Sequence, residues 1–218
     1  MDVKWYGHAS FLITTDQGTT IITDPYEPGA YGGGISYGPI SDEADIVTVS
    51  HDHSDHNYVA GLPGKPQVIK GAGRHEAKGI IFEGFATYHD ASRGSERGEN
   101  TIFTFVADGI KVCHLGDLGH ILTDKEVEEI GQVEVLFIPV GGFYTIDPDE
   151  AAKVVNQLRP KLTIPMHCKT EKCNFPIVPV DQFLQGKKEV KRISDSSFSF
   201  SKKELEDGMG IVVLIAAL

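Results

Sequence analysis

The sequence predicts a layered α/β fold in which helices cover sheets. Two observations predict it. Short apolar strands broken by Gly, Pro and Asp fill the first half of the chain, and strand–helix–strand units fill the second. No internal repeat, low-complexity run or linker interrupts the 218 residues, so residues 1–218 read as a single domain.

The elements follow in order. Ser10–Thr14, a turn at Asp16-Gln17-Gly18, and Thr19–Thr23 form a predicted hairpin. Residues 26–40 are rich in Gly and Pro without a period and read as a loop. Asp45–Ser50 is a short apolar run of the kind that fills a buried strand. Strands continue at 67–70, 80–88, 101–107 and 111–115. Thr123-Asp-Lys-Glu126 is a capping box that starts one helix, with Val127 and Ile130 as its apolar residues. Asp147-Pro148-Asp149-Glu150 starts a second, with Asp as cap and Pro at the first helical position. That helix presents Ala151, Val154, Val155 and Leu158 on one face and stops at Pro160. Strands at 133–140 and 163–166 flank it, Phe183-Leu184 fall in a short third helix, and Ile211–Leu218 reads as a buried C-terminal strand.

Composition narrows the function. Apolar residues at 40% supply a large core, and charged residues at 23% fit a soluble globular chain. No run of 18 apolar residues occurs, so no membrane insertion is expected, and the first residues lack a secretory pattern. The net charge of −11 repels phosphate backbones, so nucleic acid is not an expected partner. Three cysteines without regular spacing argue for free thiols in a reducing cytoplasm.

The nine histidines carry the chemistry. His51-Asp52-His53-Ser54-Asp55-His56 packs three imidazoles and two carboxylates behind the 45–50 strand. These ligand types suit zinc, iron, nickel or manganese. Alternate residues leaving a strand point the same way, so His51 and His53 can share one ion while Asp55 and His56 reach another. A solvated polar loop or a helix cap built on Asp52 is the bland alternative. Asp24, His89, Asp117 and His167 each follow an apolar strand, where loop residues commonly form sites.

Asp24, His51-x-His53-x-Asp55-His56, His89, Asp117 and His167, in that order, resemble the metallo-β-lactamase superfamily. The flanking runs Trp5-Tyr-Gly-His-Ala-Ser10, His114-Leu-Gly-Asp-Leu-Gly-His120 and Pro139-Val-Gly-Gly-Phe143 resemble its small, UlaG-like branch of metal-dependent hydrolases. The resemblance implies a four-layer αβ/βα sandwich with two divalent ions, zinc foremost, at one edge of the sheets. It implies one ion on His51, His53 and His89, a second on Asp55, His56 and His167, Asp117 bridging both, and Asp24 orienting a ligand from behind. Two ions about 3.5–4 Å apart share a water and lower its pKa toward about 7. The resulting hydroxide attacks an ester-type bond: a phosphodiester, a lactone or a related small ester. Asp55 can take the water's proton, although a metal ligand makes a poor base.

Other residues stay open. His8 and His120 read equally as proton donors or substrate contacts and as structural histidines. Arg93 and Arg97 can clamp an anionic small-molecule substrate, or lie in solvent. Phe143 and Tyr144 can wall the site or anchor the core. His114 reads as core, His75 as surface, Lys169 and Lys172 as a solvated face, and Cys168 as an unsuited nucleophile. A di-iron redox protein and a non-catalytic metal-binding module are the alternative functions, and a homo-oligomer is left open.

Overall fold

In the computed structural model, which describes all residues from Met1 to Leu218, two sheets face each other. The first has the order β13-β1-β2-β3-β4-β5, with β1 Asp2–Gly7, β2 Ser10–Thr14, β3 Thr20–Thr23, β4 Ile46–Val49, β5 Gln67–Lys70 and β13 Ser197–Ser199. The second has the order β12-β14-β11-β10-β9-β8-β7-β6. Its strands are β6 Gly73–Ala77, β7 Ile80–Tyr88, β8 Glu99–Ala107, β9 Ile110–His114, β10 Val135–Pro139, β11 Leu162–Met166, β12 Val190–Arg192 and β14 Gly210–Val213. The hairpins β1–β2, β2–β3 and β6 to β9 are antiparallel; β3–β4–β5 and β9–β10–β11–β14–β12 are parallel.

The helices sit where parallel strands need crossovers. Asp124–Ile130 joins β9 to β10 and Pro148–Leu158 joins β10 to β11. Both begin with reciprocal capping boxes, Thr123 with Glu126 and Asp147 with Glu150. Because β10 is covered by a sheet on one face and by helices on the other, all five of its residues are buried. Between the sheets, Phe11 of β2 and Phe137 of β10 pack with ring centroids 4.5 Å apart. Beside them His114 Nε2 donates to Ala9 O at 2.9 Å, a polar tie across the same interface.

The outer face of the first sheet is covered differently. The 24–45 connection joins the parallel strands β3 and β4 without a regular helix, its short turn at 30–33 passing through left-handed angles at Tyr31 and Gly32. Its Tyr26, Tyr37 and Ile40 pack with Tyr6, Ile22, Val47 and Val49 as a second apolar cluster. Tyr6 donates to Asp42 at 2.6 Å and Lys4 Nζ pairs with the same carboxylate at 2.8 Å, which pins the loop to β1.

Two readings need correction. The C-terminal strand ends at Val213 rather than Leu218, since residues 214–218 carry no ladder and Ile215 is 55% exposed. Apolar composition alone does not distinguish a strand from a tail laid over the sheet edge. The helix Lys202–Glu206 and strands β1, β6, β12 and β13 were not expected; Ser201 and Glu204 form a capping box of the same kind as the two that were recognised.

Lys4 and Tyr6 hold the Asp42 carboxyl below its ordinary value of 3.8. A lowered folded-state pKa stabilises above the unfolded value and is lost as pH falls through that range. Asp42→Asn should therefore lower stability at pH 7 by no more than about 1 kcal/mol, given the exposure of the pair. The gap between parent and variant should close between about pH 4 and pH 2. Thermal melts across that range check this; a constant gap would show that charge is not the cause.

Candidate metal centre

The polar residues converge because every strand that carries one ends at the same edge of the two sheets. Asp24 follows β3, His51 to His56 follow β4, His89 follows β7, Asp117 lies past β9 and His167 follows β11. His8 sits in the β1–β2 turn. His8, Asp24 and His167 all take left-handed backbone angles, at φ 51°, 39° and 48°, so the chain turns sharply where each side chain is delivered.

Asp117 Oδ2 is the focus. It lies 3.2 Å from Nε2 of His56, of His89 and of His167. His51, His53 and His89 each place a ligand atom within 4.8 Å of the others, and so do His8, Asp55, His56 and His167. A further set joins Asp24, His51 and His56. Asp52, by contrast, is exposed and pairs with Lys70 and Asn57.

Hydrogen bonds behind these groups fix which nitrogens face the site. Asp24 is fully buried and accepts from Ser50 N at 2.8 Å, Ser50 Oγ at 2.6 Å and His56 Nδ1 at 2.9 Å. His56 therefore turns Nε2 into the site; against burial, Asp117 and Asp55 raise this histidine well above its ordinary value, so its Nε2 proton would leave on metal binding. Ser50 Oγ, having donated to Asp24, accepts from His51 Nδ1 at 2.8 Å, so the neutral His51 presents a bare Nε2. Asn100 spans the other side: its Oδ1 receives Asp117 N at 2.9 Å, while its Nδ2 donates to Thr87 and to Leu115 O.

This donor set fits divalent cations. His51 Nε2 and His53 Nδ1 point at one another across 3.0 Å, and His56 Nε2 and Asp117 Oδ1 are buried without a well-aligned hydrogen bond. Burial, then His56, pushes His51 down to about 3, so its imidazole is neutral near pH 7. Burial opposes ionisation of Asp117, but His167, His56 and His89 outweigh it and hold the carboxyl well below the ordinary range. Neutral imidazoles and ionised carboxylates are the forms that bind metal.

The centre opens into a cleft of about 510 Å³ lined in part by His53, Asp55, His89, Asp117 and His167. A larger cavity of about 660 Å³ lies around Trp5, Pro165, Cys168 and Val213 and contains none of these groups. Of the four residues expected at the substrate, Arg97 and Tyr144 line the cleft, whereas Arg93 is exposed outside it and Phe143 is 62% exposed on a separate surface pocket.

His8 and His120 separate clearly. His8 is buried, with Nε2 3.0 Å from Asp55 Oδ2. Burial, then His167, lowers it to about 4, so a neutral His8 donates to the Asp55 carboxylate. His120 turns away from the cleft toward Tyr88 N, Ile121 O and Glu126, because Gly119 packs directly on His89 and Asp90 and carries the next residue past them. A Cβ on Gly119 would lie 2.2 Å from Asp90 N. Cys168 is buried and its thiol is pushed up to about 12, which leaves no thiolate near pH 7.

The sequence did not reveal Tyr31, Asn174 and Phe175, which line the cleft. Nor did it reveal Ser50 and Asn100, which orient ligands, or Asp90. The Asp90 carboxylate accepts backbone N–H groups from Ser92, Gly94, Glu96 and Arg97 at 2.8–3.0 Å and so shapes the loop that carries Arg97. An Asp beside a predicted ligand and four residues before a Gly was the available signal for it.

A model described as "Beta-lactamase superfamily domain" matches residues 2–167. A UPF0173 metal-dependent hydrolase of Hyperthermus butylicus is 30% identical, over 88% of this chain and 90% of its own length. A crystal structure from Thermotoga maritima, provisionally assigned as a Zn-dependent hydrolase of the metallo-beta-lactamase superfamily, is 38% identical with a TM-score of 0.79, covering 98% of this chain and 97% of that one. CmlA, a diiron beta-hydroxylase from Streptomyces venezuelae, shares the fold at 12% identity and a TM-score of 0.57, over 98% of this chain and 52% of its own.

Asp24→Asn replaces an acceptor by an amide whose NH₂ opposes the Ser50 and His56 donors. The variant should fold and bind divalent metal about 10- to 100-fold more weakly. Competitive titration with a chromophoric chelator measures this, and unchanged affinity would remove Asp24 from the orienting role.

Proposed function

The chain belongs to the metallo-β-lactamase superfamily, and from that premise we propose that it is a dinuclear metal-dependent hydrolase of ester-type bonds in small, anionic molecules. The observation that carries the proposal is the single carboxylate oxygen of Asp117 set 3.2 Å from three imidazole nitrogens at the floor of an open cleft. In this reading His51, His53 and His89 would hold one ion and Asp55, His56 and His167 the other, with Asp117 shared between them, zinc being the first choice for an imidazole-rich set. Bound there, the ions supply Lewis acidity and a water made acidic enough to react near neutral pH.

The chain's own groups do the rest. Asp24 and Ser50 hold the protons of His56 and His51 on Nδ1, so both Nε2 atoms face the reaction. His8 donates from Nε2 to Asp55 Oδ2 and keeps that carboxylate turned toward the cleft, so its part is positioning. Asp55 lines the cleft and would be a weak proton acceptor there, because against burial His56 and His8 hold its carboxyl well below the ordinary range. His120 has no direct part in this scheme, since its ring nitrogens face Tyr88, Ile121 and Glu126.

The motifs around His8, Asp117 and Phe143 support a place in the UlaG-like branch, and the net charge of −11 supports a small molecule over nucleic acid. No helix is long and apolar enough to cross a membrane. A cytoplasmic setting fits the three free cysteines.

Chelation followed by dialysis should abolish cleavage of a panel of phosphodiesters, lactones and carboxylic esters, and zinc or manganese should restore it. His53→Ala should reduce the best of these rates by at least about a hundredfold, since loss of an outer partner alone costs 10- to 100-fold. His120→Ala should stay within a few-fold of the parent. A fully metal-loaded parent that cleaves no member of the panel would sink the assignment.

A further inference from the structure

One side of the cleft is an aromatic wall that takes no part in the ligand set. Phe175 stands at its centre, edge to face with Tyr31 at 5.6 Å, with Tyr144 at 5.4 Å and with His8 at 5.8 Å between ring centroids. The wall therefore runs from the positioning histidine beside Asp55 out to the mouth of the cleft.

Its backbone is tied together from two distant segments. Asn174 N donates to Gly34 O and Ser36 N to Lys172 O, each at 2.8 Å, and Ile35 bridges Cys173. A Cβ on Gly34 would stand 2.6 Å from the Phe175 ring, so the glycine lets that ring lie against the backbone. Tyr31 holds a left-handed φ of 55° and leaves 56% of its surface exposed, yet its hydroxyl donates to Asp55 Oδ1 at 3.3 Å. A strained aromatic residue held over a cleft has apolar surface that nothing in the chain covers.

Arg97 supplies the only cation that lines the cleft. Its guanidinium lies 5.8 Å from the Tyr144 ring centroid. Glu96 is its one carboxylate partner, at 3.4 Å, and that carboxylate also accepts from Ser92. Arg97 thus stands beside the aromatic wall with most of its donors free.

We propose that Phe175, Tyr31, Tyr144 and Arg97 select an anionic substrate whose organic group is a planar aromatic ring, such as an aryl phosphate ester. The ring lies against Phe175 between the two tyrosines, and the charge faces Arg97. This substrate class rests on the hydrolase reading, but recognition is measurable without turnover. Aromatic pairing beyond simple burial favours a planar ring over a saturated one of equal size by about 2- to 10-fold per contact.

Calorimetry on the metal-loaded protein, with phenylphosphonate and cyclohexylphosphonate as ligands, tests the selection. The two share a headgroup and nearly a volume, and neither has an ester bond to cleave. Phenylphosphonate should bind at least about tenfold more tightly. Phe175→Leu and Tyr144→Leu should each shrink that preference, and Arg97→Gln should weaken both ligands about equally, by roughly tenfold. Metal content and melting temperature measured on each variant ensure that a lost preference is read only from folded, loaded protein. Equal affinity for the two ligands in the parent, no binding of either, or a preference that survives both leucine variants would overturn the proposal. A parent that prefers phenylphosphonate but cleaves no ester would overturn the hydrolase reading and leave the recognition intact.

Discussion

The carboxylate of Asp24, sealed from solvent, receives the backbone N–H of Ser50, the hydroxyl of Ser50 and the Nδ1 proton of His56. An ionised carboxylate in such a place is tolerable only because its oxygens are surrounded by donors. Burial works against its ionisation, yet the carboxyl stays below the ordinary range, held there foremost by the hydrogen bond from His56. The same bonds join the end of β3 to the residue after β4. They hold a proton on Nδ1 of two histidines at once, so the two Nε2 atoms that metal binding needs are aimed by one buried acid.

Around that acid, the two sheets bring their loops to one edge. The parallel strands β3 and β4 of one sheet and β9, β10 and β11 of the other end on the same side, while the antiparallel β7 delivers His89 to it. Loops from different strands must then pass within contact distance. Gly119 lies against the His89–Asp90 backbone, and no larger residue fits there. The direction of His120 is a result of that crossing.

The sequence disclosed the ligand set more readily than its supports. His51 to His56, His89, Asp117 and His167 are visible because imidazoles and carboxylates at strand ends are rare and chemically loud. Asn100 and Ser50 are not, because a polar residue at a strand end looks the same whether it faces water or holds Asp117 N. Phe175 and Tyr31 were hidden for another reason. They lie 144 positions apart in loops without a period, and only the pairing of 34–36 with 172–174 brings them together. The C-terminal apolar run reads as strand beyond Val213, where the strand ends, because composition reports burial and not hydrogen-bonding partners.

The loop after His89 is shaped by Asp90 through backbone N–H groups alone. Every residue except proline offers the same donor, so the bond from residue 97 to Asp90 does not depend on the side chain carried there. A change at Arg97 alters what the cleft presents to a ligand without altering the scaffold that presents it. The candidate ligand His89 and the carboxylate that shapes this loop are adjacent in the chain, at 89 and 90. Position 97 can therefore vary without loss of the backbone bond that holds the loop beside the His89 strand end.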